Sequence, residues 1–250
     1  MTIGSQEPRS TTGPRPHPPY LMPSPNPKEV SGRYAADLVK SGMTVGLGTG
    51  STVYFTLVRL AERIREESLE IRGVPTSVDT EEKAQAMGIP LVTLDEVEGL
   101  NITIDGADEI DGEFNMIKGG GGALLREKVV ASITTKQVII VGRNKVVDRL
   151  GTTFLLPVEF VPFAGSTVAR ALRSLGCEPV LREREDETFV TDNGNHIYDC
   201  RFPDGIAEAP ELDTNVLAIP GVVESGLFID LAHVLVIGEE DGTVEVREAD

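Results

Sequence analysis

Apolar positions along the chain switch between two spacings. Val30, Tyr34, Ala35 and Leu38 recur three and four residues apart, which predicts a helix that Ser41-Gly42 stops. Thr44 to Leu47 reads as a short buried strand, and Thr52 to about Glu67 as an amphipathic helix. The alternation continues with a strand over Leu69–Val74, a helix over Thr80–Met87 ended by Gly88, and a strand over Ile89–Leu94. Leu100–Ile104 (LNITI) and Gln137–Val141 (QVIIV) are continuous apolar runs of strand length. Strands that alternate with helices in this way predict a parallel sheet covered on both faces.

The pattern changes after Leu150. Thr153–Val161 predicts a strand interrupted by Pro157, followed by a helix over Ser166–Leu175 that Gly176 closes. Pro179–Glu183 and Thr188–Asp199 supply strands, with Asn193-Gly194 as a hairpin turn. A second helix is expected over Pro210–Leu217. Ala232–Gly238 (AHVLVIG) is again a buried strand, with a hairpin at Asp241-Gly242, and is expected to rejoin the first sheet. The expected fold class is α/β. A Rossmann-like, open, mostly parallel sheet with helices on both faces spans residues 28–151 and 226–250, and a small α+β domain is inserted over 152–225. Residues 1–27 are rich in Pro, Ser, Thr and Gly and lack an apolar core, so they are expected to form a disordered tail.

Charge narrows the partners. Forty acidic against 23 basic residues give a net charge of −17, which excludes nucleic acid or an anionic membrane held by the bulk field. No apolar run approaches the roughly 18 residues of a membrane span. Cys177 and Cys200 show neither metal spacing nor a disulfide framework, and His17, His196 and His233 are scattered. The expectation is a cytoplasmic protein with no metal site.

Three glycine-containing stretches carry the candidate chemistry, and all follow predicted strands. In GLGTGST, a strand, a tight glycine turn and a helix start make a cradle for an anion. Backbone N–H groups and the hydroxyls of Thr49, Ser51 and Thr52, around Gly50, can face one phosphate. The dinucleotide fingerprint is only partly matched, because Ser51 stands where its third glycine belongs and Glu70 lies near the acid offset. The ATP-type loop fails for want of its Gly-Lys-Ser/Thr.

LNITIDGADEIDGEFN places Asp105 and Asp108 just past a strand, with Gly106 and Ala107 between them. A calcium loop aligned on Gly112 would put Ala107 at its first ligand position and Lys118 at its closing acid, so that reading fails. KGGGGALLREK is the third stretch. Lys118 opens a run, Gly119, Gly120, Gly121 and Gly122, whose backbone no side chain obstructs, and Glu127 and Lys128 follow at a helix start.

Taken together and in order, GLGTGST, DGADEID and KGGGGALLREK resemble the type A ribose-5-phosphate isomerase family. LPVEFVP, VTDNGN and IPGVVESGLF agree with it, so the similarity covers about residues 28–250. The resemblance implies a metal-free, cofactor-free interconversion of an aldose and a ketose phosphate through an enediolate, by a homodimer or homotetramer. By that similarity Glu127 is the general base, Asp105 the second carboxylate, Lys118 an oxyanion stabiliser with the loop amides, and Asp108 positions the sugar. The phosphate falls to Thr49–Thr52 with Lys145 and Lys28. Burial would raise the pKa of Glu127, while Lys118, Lys128 and the helix N-terminus would lower it.

Competing readings are an amino-sugar-phosphate deaminase, a nicotinamide dehydrogenase and a non-catalytic sugar-phosphate sensor. A deaminase would be expected to place a histidine near its acids, and all three histidines lie outside the motifs. A sensor could dispense with Glu127, Asp105 or Lys118, and all three are present.

Overall fold

A computed structural model of the chain describes residues 1 and 25–249. Residues 2–24, most of the expected tail, lie outside the described residues, as does His17. Helix α1 (Pro27–Asp37) begins one residue before the expected boundary at Lys28. The Asn26 side chain caps it by accepting from the Lys28 N–H at 3.1 Å, and Pro27 at its first position lacks the N–H that would go unpaired there.

The chain then runs β1 (Thr44–Leu47), α2 (Val53–Glu66), β2 (Arg72–Pro75), α3 (Val78–Ala86) and β3 (Ile102–Asp105). Next come β4 (Glu109–Ile110), β5 (Met116–Ile117), α4 (Leu124–Ser132), β6 (Gln137–Gly142) and β7 (Leu156–Phe160). Helix α5 (Gly165–Ser174) leads to β8 (Glu178–Leu181), β9 (Glu183–Arg184), β10 (Glu187–Thr188) and β11 (His196–Arg201). The last elements are α6 (Ala209–Leu217), β12 (Val222–Ser225), β13 (Leu227–Phe228), β14 (Val234–Gly238) and β15 (Val244–Glu248).

The principal sheet has the order β15-β14-β6-β3-β1-β2 and is parallel except for β15. Strand β14 thus rejoins the sheet beside β6, and Gly242 at φ +89° turns the chain back into β15. Because side chains alternate along a strand, each buried strand serves two layers. Val138, Ile140 and Val236 pack with α1 and α2 residues such as Ala35, Leu57 and Leu60, while Ile139, Val141, Leu235 and Ile237 pack with Leu124 and Ala131 of α4. Residues 156–225 build an antiparallel sheet, β12-β7-β11-β8, over α5 and α6, with Leu156, Val158, Phe160, Val168 and Leu172 in its core.

Two expected strands are corrected. Ile89–Leu94 contributes only a single bridge between Leu91 and Gly73. Pro90 has no N–H to donate, and Thr93 with Glu96 forms a capping box that starts a helical turn over Leu94–Glu96. The strand expected over Thr188–Asp199 forms only at Thr188, the last residue of β10, and again from His196 in β11. Before it Thr191 and Asn195 close a turn, N–H to carbonyl at 2.8 Å, with Gly194 at φ +79°. A three-stranded sheet, β13-β5-β4, has no counterpart in the sequence reading, because strands of two residues show no periodicity.

Candidate active site

A cleft of about 520 Å³ opens at the carboxyl ends of β1, β3 and β6. It brings together thirteen of the residues singled out from sequence: Lys28, Thr49, Gly50, Ser51, Thr52, Gly106, Ala107, Asp108, Lys118, Gly119, Gly120, Gly121 and Glu127, with Lys145 as a fourteenth. Asp105 is the exception. It is fully buried behind the cleft wall rather than among the lining residues.

The first loop is held open by its neighbours. Gly50 takes φ +113°, and the Thr49 hydroxyl lies 2.8 Å from the hydroxyls of both Thr76 and Ser77, just ahead of α3. Asp105 Oδ1 accepts the N–H groups of Thr49 at 3.1 Å and Gly106 at 2.8 Å, tying the first loop to the second. A Cβ on Gly48 would lie 2.2 Å from that same oxygen, so glycine is obligatory there. The Ser51 and Thr52 N–H groups, at the start of α2, have no acceptor among the described residues. Lys28 reaches across from α1 to donate to Ser51 Oγ at 2.9 Å, while Lys145 lies with Nζ 5.6 Å from the Phe154 ring centre.

The other wall is a buried charge cluster. Lys118 is 2 % exposed, and its Nζ lies 3.1 Å from Asp105 Oδ2 and 3.5 Å from Glu127 Oε2. It also donates to the Gly106 carbonyl at 2.5 Å. Asp105 Oδ2 and Glu127 Oε2 accept no hydrogen bond from the described residues. Burial pushes the Glu127 carboxyl up to about 8, opposed by the Lys118 ammonium and reinforced by Asp105 and Asp108. Burial alone would lower Lys118, but Asp105 and Glu127 outweigh it and hold the ammonium above its ordinary range. Burial also raises Asp108, against the Gly120 N–H that donates to its Oδ2 at 2.7 Å.

Lys128 plays no part in this balance. One helical step turns it away from Glu127, and its Nζ binds Glu224 at 2.6 Å and the Ser225 carbonyl at 2.8 Å. Helix α4 does start at the end of the glycine loop, and Glu127 sits in its first turn. Sequence reasoning missed Asn26 and Asn144, which also line the cleft. Asn26 was legible as a cap ahead of Pro27; Asn144 carries no local signal.

The two histidines among the described residues stand elsewhere. His196 meets Phe160 edge to face at 5.9 Å, and His233 Nδ1 accepts from the Gln137 N–H at 3.1 Å. Among the described residues no three His, Cys, Asp or Glu side chains converge as a metal site requires, and no helix is long and apolar enough to cross a membrane.

An anion cradle beside a buried carboxylate that binds its proton tightly, at the strand ends of a parallel sheet, has the make-up of a proton-transfer enzyme. The sequence profile of ribose 5-phosphate isomerase A (phosphoriboisomerase A) matches residues 72–242. The ribose-5-phosphate isomerase A of Bacillus mycoides is 48 % identical over 220 residues, covering 88 % of this chain and 99 % of its own. That of Thermosynechococcus vestitus is 51 % identical over 225 residues, covering 88 % and 95 %. The solved ribose 5-phosphate isomerase A of Methanocaldococcus jannaschii superposes with a TM-score of 0.84 at 41 % identity, covering 88 % of this chain and 97 % of its own. The chain belongs to the ribose 5-phosphate isomerase A family.

Proposed function

We propose that the protein interconverts D-ribose 5-phosphate and D-ribulose 5-phosphate through an enediolate, the aldose–ketose isomerisation of the non-oxidative pentose phosphate pathway. Family membership supports the reaction, and one observation carries the mechanism. In the cleft wall a buried lysine sits between two carboxylates whose facing oxygens accept no other hydrogen bond from the described residues. A related D-ribose-5-phosphate isomerase, 32 % identical, is known in complex with phospho-erythronic acid, a phosphorylated sugar acid, which agrees with a sugar-phosphate ligand here.

In this reading the phosphate lies on the Thr49–Thr52 loop, where N–H groups at the start of α2 and the Lys28 and Lys145 ammonium groups oppose its charge. Ionised Glu127 removes the proton from C2 and returns it to C1 on the same face. The negative charge that develops on the enediolate oxygen is stabilised by Lys118 and the Gly119 and Gly121 N–H groups, the Gly120 N–H being held by Asp108. Asp105, buried behind the wall, acts through Lys118, whose ammonium it holds at 3.1 Å, and Asp108 orients the sugar hydroxyls. We further propose a cytoplasmic homodimer or homotetramer; sedimentation as a monomer at micromolar concentration would overturn that assembly.

The test is to follow ribulose 5-phosphate from ribose 5-phosphate in excess chelator. Ketose from the wild type, with a Glu127→Gln variant that binds substrate and lacks turnover, supports the reading. Binding without turnover by the wild type would identify a sensor instead.

A further inference from the structure

The glycine loop is held from outside the sheet that carries it. Arg182 follows β8, and its side chain is 10 % exposed. Its Nε and Nη2 both donate to the Asp199 carboxylate on β11, Nε at 2.9 Å, which fixes the plane of the guanidinium fork. Nη1 is thereby aimed at the Gly119 carbonyl oxygen, to which it donates at 2.8 Å. The other end of that same peptide unit is the Gly120 N–H, which donates to Asp108 Oδ2 at 2.7 Å. One peptide plane therefore stands between a cation on its oxygen and an anion on its hydrogen, and both polarise it in the same sense.

A Gly–Gly peptide is the unit of a chain least able to hold its own orientation. Gly119 already occupies φ +102°. A stiffer residue is not available at position 120, where a Cβ would lie 2.6 Å from Asp108 Oδ1 and 2.9 Å from Phe154 Cζ. The orientation must come from partners; on the oxygen the Gly122 N–H donates from within the loop at 3.0 Å, and Arg182 supplies the one from outside it. Arg182 itself does not line the cleft.

We propose that Arg182 is a positioning residue for the isomerisation, holding the Gly119–Gly120 peptide so that Asp108 stays aimed at the sugar hydroxyls. The proposal rests on the isomerase reading of the cleft. Its test is a double-mutant cycle on ribulose 5-phosphate formation with wild type, Arg182→Met, Asp108→Ala and the double variant. Absence of ketose from the wild type would sink the isomerase reading before Arg182 is in question. Arg182→Met is expected to raise KM about tenfold with kcat within about threefold. The double variant is expected to lie within about twofold of Asp108→Ala alone, because both changes break one linkage. Losses that multiply in the double variant would assign Arg182 a general structural role and overturn the proposal. Should the methionine variant fail to fold, Arg182→Lys runs the same cycle. It keeps the charge, but one ammonium cannot grip Asp199 as a fork and reach Gly119 as well. The same non-additivity is expected, and multiplying losses again overturn the proposal.

Discussion

The two glycine loops of the cleft solve different electrostatic problems. The loop at Thr49–Thr52 is open to solvent, with Ser51 and Lys28 both exposed, and it presents hydroxyls and N–H groups to a charge the substrate already carries. The loop at Gly119–Gly122 adjoins Lys118, Asp105 and Glu127, which are almost wholly buried. There the charges belong to the protein: burial raises the proton affinity of Glu127, and the two carboxylates raise that of Lys118 against burial. Exposed charges are screened and act on binding, whereas buried ones are expensive, respond to pH and act where charge develops during reaction. The first loop should therefore govern KM and respond to salt, and the second should govern kcat and respond to pH.

The largest break in this contrast comes from Lys118→Met. Loss of the cation that lies between two buried carboxylates is expected to lower kcat by about 10³. It should also move the activity profile to higher pH, because Lys118 is what holds Glu127 down. A loss confined to KM would place Lys118 with the binding loop. Gly48→Ala attacks the joint between the loops. Its Cβ would meet Asp105 Oδ1 at 2.2 Å and the Asp105 Cα at 2.6 Å, so we expect about 2 kcal/mol of destabilisation, read by denaturant unfolding, together with lost kcat. An alanine variant of wild-type stability would show that Asp105 is free to move.

Lys28→Met should raise KM about fivefold, leave kcat unchanged and flatten the salt dependence of KM, as expected for an exposed cation. A last effect concerns stability. Glu127 has a folded pKa of about 8 against an ordinary 4.5, so the folded state binds this proton more tightly than the unfolded chain. Its contribution is full below about pH 4.5 and is lost as pH rises through about 8. The melting temperature of Glu127→Gln relative to wild type should therefore rise between pH 5 and pH 9. A constant difference would mean that Glu127 is not buried as a proton-binding group.

These contrasts were partly legible in the chain. The glycine loops and the Asp105–Asp108 stretch are local patterns at strand ends, and the order of strands and helices follows from apolar spacing, so the sheet and the lining residues were readable. What escaped depends on side chains far apart in sequence. Lys128 looked like a neighbour of Glu127 until the helix turned it toward Glu224, 96 residues on. Asp105 looked like a lining residue, but its register in β3 puts it behind the wall, where it bonds to Thr49. Arg182 reaches Gly119 across 63 residues, a link no spacing encodes.

The measurement that bears most directly on the account is the pH dependence of initial ribulose 5-phosphate formation by wild type and Glu127→Gln. If a buried Glu127 with a pKa of about 8 is the base, wild-type kcat/KM should rise about tenfold from pH 7 to pH 9 and then level. The glutamine variant should be about 10³-fold slower with no such rise. A variant that keeps the wild-type rise, or a wild-type profile already flat at pH 6, would contradict it.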